Sequence, residues 1–340
     1  MLAWKNARMT LWLSFALCSL AILVAGSLLS RYGDEIARLT GLGGTWIGTV
    51  LMATVTSLPE LMTGLSAVTA ARAPGIAVGD VLGSCVFNLA MIALLDVLQR
   101  PSSVYSLASR SHIIGIAFAA LMLALAGGAL LVGRSFDSSV LHVSAVSPIL
   151  LLLYLLAMNT VFRVEGAQRA NHASPGSADQ AALRRALLRY AGAAAAVVVA
   201  AVALPFLAVE IARAMGWSQG FIGTSLVAMT TSLPELTVTI AAWRLKAVDL
   251  AIGNLVGSNL FNLAILAIDD LAYLPGPLLS NVSVAHAVSA FAAIGMSAAV
   301  IVALMAPPRA RLLNVASWAS VLLVILFLAN AWTHFRHPAS

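Results

Sequence analysis

Apolar residues occur along the chain in ten long runs, which are separated by short polar stretches. An α-helix needs roughly 20 mostly apolar residues to cross a bilayer, and most of the runs reach or exceed that length. The sequence lacks the ten-residue alternation of a membrane β-barrel. The pattern therefore predicts ten transmembrane helices, over about 11–30, 46–71, 76–98, 112–133, 144–162, 187–209, 218–243, 250–275, 284–305 and 312–333.

Composition supports a membrane protein. Of 340 residues, 61% are hydrophobic and 9% are charged, whereas soluble domains carry about 25% charged residues. The chain is also too apolar for a disordered protein. Cys18 and Cys85 both lie in apolar runs, so no disulfide framework is expected. We expect a multi-pass protein of a prokaryotic inner membrane, with the lipid bilayer as a partner and no nucleic acid.

The basic residues predict how the helices are oriented. The face that carries the N-terminus has six Lys and Arg residues, and the opposite face has thirteen, which together account for all 19. Because positive loops stay in the cytoplasm, both termini are predicted outside and the polar stretch 163–186 inside. This stretch separates a first unit, 1–162, from a second, 187–340. Lys5 and Arg8 before an apolar run also resemble a signal peptide, but the repeat described next favours an uncleaved first helix.

The two halves of the chain repeat each other. Residues 35–61 and 210–236 are identical at 16 of 27 positions, and both contain Thr-Ser-Leu-Pro-Glu-Leu. A second block, Gly-Ser-x-x-Phe-Asn, occurs at 83–88 and at 257–262. Each half has five predicted helices, an odd number, so the second half would cross the membrane upside down relative to the first. Inverted repeats are typical of secondary transporters with a binding site near the midplane.

Each repeat places one carboxylate in the middle of a predicted helix, at Glu60 and at Glu235. A charge at this depth costs about 2.5–3.5 kcal/mol on insertion scales. The neighbouring apolar runs contain no Lys or Arg that could pair with either group, and two glutamates cannot neutralise each other. A bound cation could neutralise both, so the sequence predicts a cation site.

Oxygen-bearing residues surround each glutamate. On a helix, the spacing i, i+3, i+4, i+7 puts a small residue, two hydroxyls and the carboxylate on one face. Pro59 and Pro234 remove one backbone hydrogen bond each and so loosen nearby carbonyl oxygens. Such hard oxygen ligands suit Na⁺ or Ca²⁺, and the lack of a Cys/His cluster argues against a soft transition metal. The two sets are Ala53, Thr56, Ser57 and Glu60, and Ala228, Thr231, Ser232 and Glu235.

The following helices add a Ser and an Asn one turn apart, Ser84 with Asn88 and Ser258 with Asn262. Small residues such as Gly83 would also allow close helix packing, with Ser and Asn bonding across helices. We expect these residues to serve both packing and cation binding.

The doubled Thr-Ser-Leu-Pro-Glu and Gly-Ser-x-x-Phe-Asn motifs resemble the α-repeats of the cation/calcium exchanger superfamily, the sodium/calcium exchangers. The resemblance implies an all-α protein of ten helices in two inverted five-helix repeats. It implies antiport of Ca²⁺ against a monovalent cation, most commonly Na⁺, by alternating access, with the first and sixth helices sliding against an ion-holding bundle. No cofactor is implied, and we expect a monomer. The implied ion ligands are Ala53, Thr56, Ser57, Glu60, Ser84, Asn88, Ala228, Thr231, Ser232, Glu235, Ser258 and Asn262.

Some residues depart from the family pattern. Asn262 stands where some exchangers have a proton-sensing aspartate, and Asp80 replaces the usual Asn, either at an entrance to the site or at a solvated helix start. Asp96 and Asp270 match across the repeats at helix ends, which suggests a vestibule or a cap. A Ca²⁺/H⁺ exchanger stays open, as does a cation channel with two acidic sites. No enzyme is expected, since the chain lacks Gly-x-Ser-x-Gly and His-Glu-x-x-His.

Overall fold

The structure is a computed structural model that describes residues 2–40, 52–133, 139–140, 142–168, 180–312 and 315–336. These residues form a bundle of helices with one two-stranded antiparallel ribbon, β1 Ser139–Val140 and β2 Val143–Ser144. A 3₁₀ turn spans Leu278–Asn281 and a π-helical segment spans Ile222–Val227. The α-helices are α1 Leu2–Leu39, α2 Leu58–Thr69, α3 Pro74–Leu98, α4 Val104–Leu107, α5 His112–Val132, α6 Val146–Gln168, α7 Gln180–Met215, α8 Gln219–Phe221, α9 Ala228–Thr231, α10 Leu233–Arg244, α11 Val248–Ala272, α12 His286–Met305 and α13 Trp318–Arg336.

Within the described ranges, eight helices are long and apolar enough to cross a membrane, and a bent pair, Gln219–Thr231 with Leu233–Arg244, would make a ninth. The counterpart of this pair in the first half is the predicted span 46–71. It lies partly outside the described residues, so ten spans stay a prediction. The central part of the predicted loop 163–186 also lies outside them.

The helices α3 and α11 form the centre of the bundle. They are the most deeply buried of the long helices, and they contact each other and α2; α3 also contacts α12, and α11 also contacts α5. The two longest helices, α1 and α7, pack against each other, and the Cys18 thiol donates to the carbonyl of Ala200 at 3.0 Å. Leu17 of α1 and Val199 of α7 are 66% and 72% exposed. Apolar side chains exposed on this scale suit a lipid-facing surface.

Both motif helices are interrupted at a serine. Ser57 (φ −88°, ψ 14°) precedes α2 and Ser232 (φ −84°, ψ 9°) precedes α10, so the two halves share the same local backbone geometry. Each proline is the second residue of the helix that follows, a position where its missing N–H is tolerated. The predicted irregularity is confirmed, and in the second half it bends the helix by 45°.

Two carboxylates fasten loops at the ends of the central helices. Asp96 accepts hydrogen bonds from the Ser103 hydroxyl at 2.7 Å and from the Ser317 amide at 2.9 Å. Its repeat counterpart Asp270 accepts from the amides of Ser144 at 2.8 Å and Leu278 at 2.6 Å. Of the two predicted roles, vestibule or cap, the contacts support the cap.

Candidate cation site

The predicted ligands meet at the centre of the bundle, where the two interrupted helices cross α3 and α11. All twelve are buried, and Ala53, the most accessible, is 2% exposed. The sequence places them in two blocks about 175 residues apart, and the fold brings both blocks into one cluster. The two central glutamates lie close enough for their charges to interact.

Hydrogen bonds cross between the halves at this cluster. The Ser57 hydroxyl donates to Oε1 of Glu235 at 2.9 Å, and the Ser232 hydroxyl donates to Oε1 of Glu60 at 3.1 Å. Each glutamate is thus held by the serine at the helix break of the other half. Because the serines have equivalent backbone geometry, the two carboxylates are positioned by the same device.

At each helix break, a threonine hydroxyl lies close to the carbonyl oxygen of a small residue one turn earlier. The Thr56 hydroxyl donates to the carbonyl of Ala53 at 3.1 Å, and the Thr231 hydroxyl lies 3.3 Å from the carbonyl of Ala228. Both carbonyls also accept a backbone N–H at 3.1 Å, from Ser57 and Ser232. Hydroxyl and carbonyl oxygens therefore lie together at each helix break.

The residues of α3 and α11 face the same cluster. Ser258 donates to Oε1 of Glu235 at 3.4 Å, and Ser84 accepts from Ser232 at 3.0 Å. The Asn88 amide nitrogen donates to Oδ1 of Asn259 at 3.0 Å, and Asn262 lies beside the Cys85 thiol. Ser84 and Ser258 contact the central carboxylates directly or through one hydroxyl, whereas Asn88 is engaged with α11.

Close packing is the second role of these motifs. A Cβ atom added at Gly83 would lie 2.6 Å from the backbone of Thr224, and one added at Gly257 would lie 2.9 Å from the Cβ of Ala53. Only glycine lets the central helices approach the broken ones so closely. The expectation that the Gly-Ser motif both packs and presents oxygens is therefore confirmed for packing.

Several buried oxygens of the cluster have no hydrogen-bond partner among the described residues, including Oε2 of Glu60, Oε2 of Glu235 and Oδ1 of Asn88. In the described part of the chain, neither polar atom of the Asn262 amide has a hydrogen-bond partner of normal geometry. No Lys or Arg is buried in the described part of the chain. Unpaired buried carboxylates are costly, and hard cations bind such oxygens.

Two further buried carboxylates lie on the central helices α3 and α11. Asp80 is completely buried, and Thr231 donates to its Oδ1 at 2.8 Å, so the interpretation as a solvated helix start is wrong. Asp269 is also completely buried, and the sequence analysis missed it. The equivalent residue of the first half is Leu95, so comparing the two halves does not reveal Asp269. The paired aspartates at 269–270 in an apolar helix were the available signal.

The sodium/calcium exchanger protein family model matches residues 10–167 and 186–335, which include both repeats. The chain belongs to this family. This sodium/calcium exchanger family member is 29% identical over 285 residues to the inner membrane protein YrbG of Escherichia coli, covering 76% of this chain and 83% of YrbG. It is 41% identical over 80 residues, 23% of each chain, to the sodium/calcium exchanger MaX1 of Methanosarcina acetivorans.

Solved exchangers share the fold. A structure of the sodium-calcium exchanger NCX_Mj superposes with a TM-score of 0.62 at 24% identity, covering 94% of this chain and 97% of that one. The H⁺/Ca²⁺ exchanger CAX superposes with a TM-score of 0.68 at 14% identity, covering 98% and 89%. The family is one of membrane ion exchangers for Ca²⁺ and other cations rather than a class of enzymes, and this member has the helices of a multi-pass membrane protein.

Proposed function

We propose that this protein exchanges Ca²⁺ for Na⁺ across the membrane at the site of Glu60 and Glu235. The observation that carries the proposal is the pair of crossed Ser–Glu hydrogen bonds, which leaves one oxygen of each buried carboxylate without a partner. Two carboxylates with hydroxyls and carbonyls around them match the charge and the hard-oxygen preference of Ca²⁺. The same oxygens can bind Na⁺ when Ca²⁺ leaves.

The choice of Na⁺ over H⁺ as the driving ion rests on Asn88 and Asn262. An amide does not titrate in the usable pH range, so neither group can exchange a bound cation for a proton. An exchanger that uses protons would depend on carboxylates for this step. The two amides leave proton uptake to the carboxylates of the cluster, and two ligands that cannot be protonated favour exchange against Na⁺.

Alternating access requires two states of the bundle. We propose that the halves are inverted repeats and that α1 and α7, which pack against each other at its edge, slide past the core formed by α3 and α11. All twelve ligands are buried, so an ion bound here would need such a movement to reach either face. Inverted halves supply two equivalent arrangements that open to opposite sides.

The experiment is ⁴⁵Ca²⁺ uptake into proteoliposomes loaded with Na⁺ and diluted into Na⁺-free medium, compared with an imposed pH gradient without Na⁺. We expect saturable uptake that depends on the Na⁺ gradient and is absent in Glu60→Gln. Equal uptake on the pH gradient alone would favour the Ca²⁺/H⁺ exchanger. Ca²⁺ movement at the same rate without any opposing gradient would indicate a channel.

A further inference from the structure

The two halves differ near the cation site, because Asp80 and Asp269 have neutral residues at the equivalent positions of the other half. We propose that Asp80 and Asp269, with the Thr231 hydroxyl, form a second Ca²⁺ site between the central glutamates and one end of the bundle. This inference rests on the proposed function, since it assigns a step on the route of the same ion.

The position of the pair follows from the helices that carry it. Asp80 lies near the start of α3 and Asp269 near the end of α11, at the end of the bundle where α2 leads into α3 through residues 70–73. In the predicted orientation this end faces the outside. Thr231, itself a predicted central ligand, connects the pair to the central site through its hydrogen bond to Asp80.

Both carboxylates are buried and under-satisfied. Each residue is 0% exposed, and among the described residues neither oxygen of Asp269 has a hydrogen-bond partner, nor does Oδ2 of Asp80. The Asp269 carboxylate lies against α2 at Gly64, and α3, which carries Asp80, packs against both α2 and α11, so the two groups lie in the same part of the bundle. A buried carboxylate without a partner is stable only when it is protonated or paired with a cation, and a bound cation is the pairing proposed for these two groups.

The second half has no such pair. The position equivalent to Asp80 is Asn254, whose amide nitrogen lies 3.5 Å from the Thr239 hydroxyl. The position equivalent to Asp269 is Leu95. The two equivalent positions are therefore neutral, so a packing role common to both halves does not explain the two aspartates.

Space for the Asp269 carboxylate is provided by a glycine on α2. A Cβ atom at Gly64, one turn beyond Glu60, would lie 2.7 Å from Oδ1 of Asp269 and closer still to Oδ2. The equivalent residue of the second half is Thr239, so the helix itself accepts a side chain here. The glycine brings the carboxylate against the helix that bears Glu60.

The charge of the pair favours a divalent ion. Two buried carboxylates carry two negative charges, which one Ca²⁺ neutralises and one Na⁺ does not. Two carboxylates and one hydroxyl offer up to five of the six to eight oxygens that Ca²⁺ takes, and water can supply the rest. With the central pair, four carboxylates would be balanced by two Ca²⁺ ions, one held at each site.

The test is equilibrium ⁴⁵Ca²⁺ binding to the purified full-length protein in detergent without Na⁺. We expect two Ca²⁺ per wild-type chain, and one per chain in Asp269→Asn and in Asp80→Asn, which copies the neutral residue of the second half. Gly64→Ala keeps every charge but displaces Asp269, and should weaken the second Ca²⁺ at least tenfold. Asp249→Asn, at the other end of α11, is the matched control and should keep two.

The outcomes separate the inference from the proposed function. One Ca²⁺ per wild-type chain, unchanged by Asp269→Asn, would overturn the second site and leave the central one intact. In a parallel binding measurement with ²²Na⁺ in place of Ca²⁺, loss of bound ²²Na⁺ in that variant, with its Ca²⁺ count unchanged, would overturn the assignment to a divalent ion. A wild-type protein that binds no Ca²⁺ would contradict the proposed function itself. Retained binding of the remaining Ca²⁺ shows that each variant is folded.

Discussion

Replacing Glu235 by glutamine removes one negative charge from the central site and leaves its shape. The glutamine oxygen can still accept from Ser57, which lies 2.9 Å from Oε1, and from Ser258 at 3.4 Å. The protein should therefore insert and fold. Removing one partner of a buried charge pair costs about 3–5 kcal/mol. At about 1.4 kcal/mol per tenfold change, Ca²⁺ should bind roughly 10²- to 10⁴-fold more weakly, and Na⁺-driven uptake should vanish.

The assay combines calorimetric Ca²⁺ binding in detergent with ⁴⁵Ca²⁺ uptake in proteoliposomes at matched protein density. Glu60→Gln should give the same result, since its Oε1 is held by Ser232 in the equivalent way. Glu210→Gln is the control, because Glu210 is exposed and pairs with Arg213 at 2.9 Å. Ca²⁺ affinity within threefold of wild type in either central variant would refute the assignment of that carboxylate as a ligand.

Three further predictions follow from the orientation, the amides and the loop caps. With N-out, C-out topology, a membrane-impermeant thiol reagent applied to intact cells should label a cysteine introduced at position 338 and miss one at 175; the reverse labelling would overturn the orientation. Asn262→Asp should add inhibition of Ca²⁺ uptake at mildly acidic pH, because a carboxylate can take up a proton where the amide cannot; superimposable pH profiles would remove Asn262 from the site. Asp96→Asn should lower the thermal unfolding temperature of the purified protein, since several donors lose a charged acceptor, while Ca²⁺ affinity stays within threefold; an unchanged melting temperature would argue against the cap.

The sequence indicates which residues gather at the centre of the bundle, because both halves contain the same motifs. Glu60 and Glu235 are recognisable as unpaired charges in apolar runs, and the occurrence of the same motif in both halves makes a chance match implausible. The crossed contacts with Ser57 and Ser232 could not be predicted, because periodicity places residues on one helix but not against another. Comparing the two halves detects only residues that both halves share. Asp269 was not predicted because it occurs in the second half alone.

Helix lengths show a similar limit. The predicted runs 11–30 and 187–209 cover only the apolar middle of α1 and α7, which extend over 38 and 36 residues. Charged residues such as Arg8 and Glu210 end an apolar run. They do not end the helix, because their long side chains reach the membrane interface and so avoid the free-energy cost of burying a charge in lipid. Hydropathy therefore predicts the part of a helix that lies within the bilayer and not the full length of the helix.

The crossed serine–glutamate bonds have a consequence for how exchangers of this kind can be recombined. Each carboxylate is oriented by the opposite half, so neither half contains a complete coordination unit. In a chimaera that joins the first half of this chain to the second half of a relative, Ser57 and Glu235 come from different parents, as do Ser232 and Glu60. Such hybrids should function only where both donor–acceptor pairs are preserved, and across homologues these positions should change together or not at all.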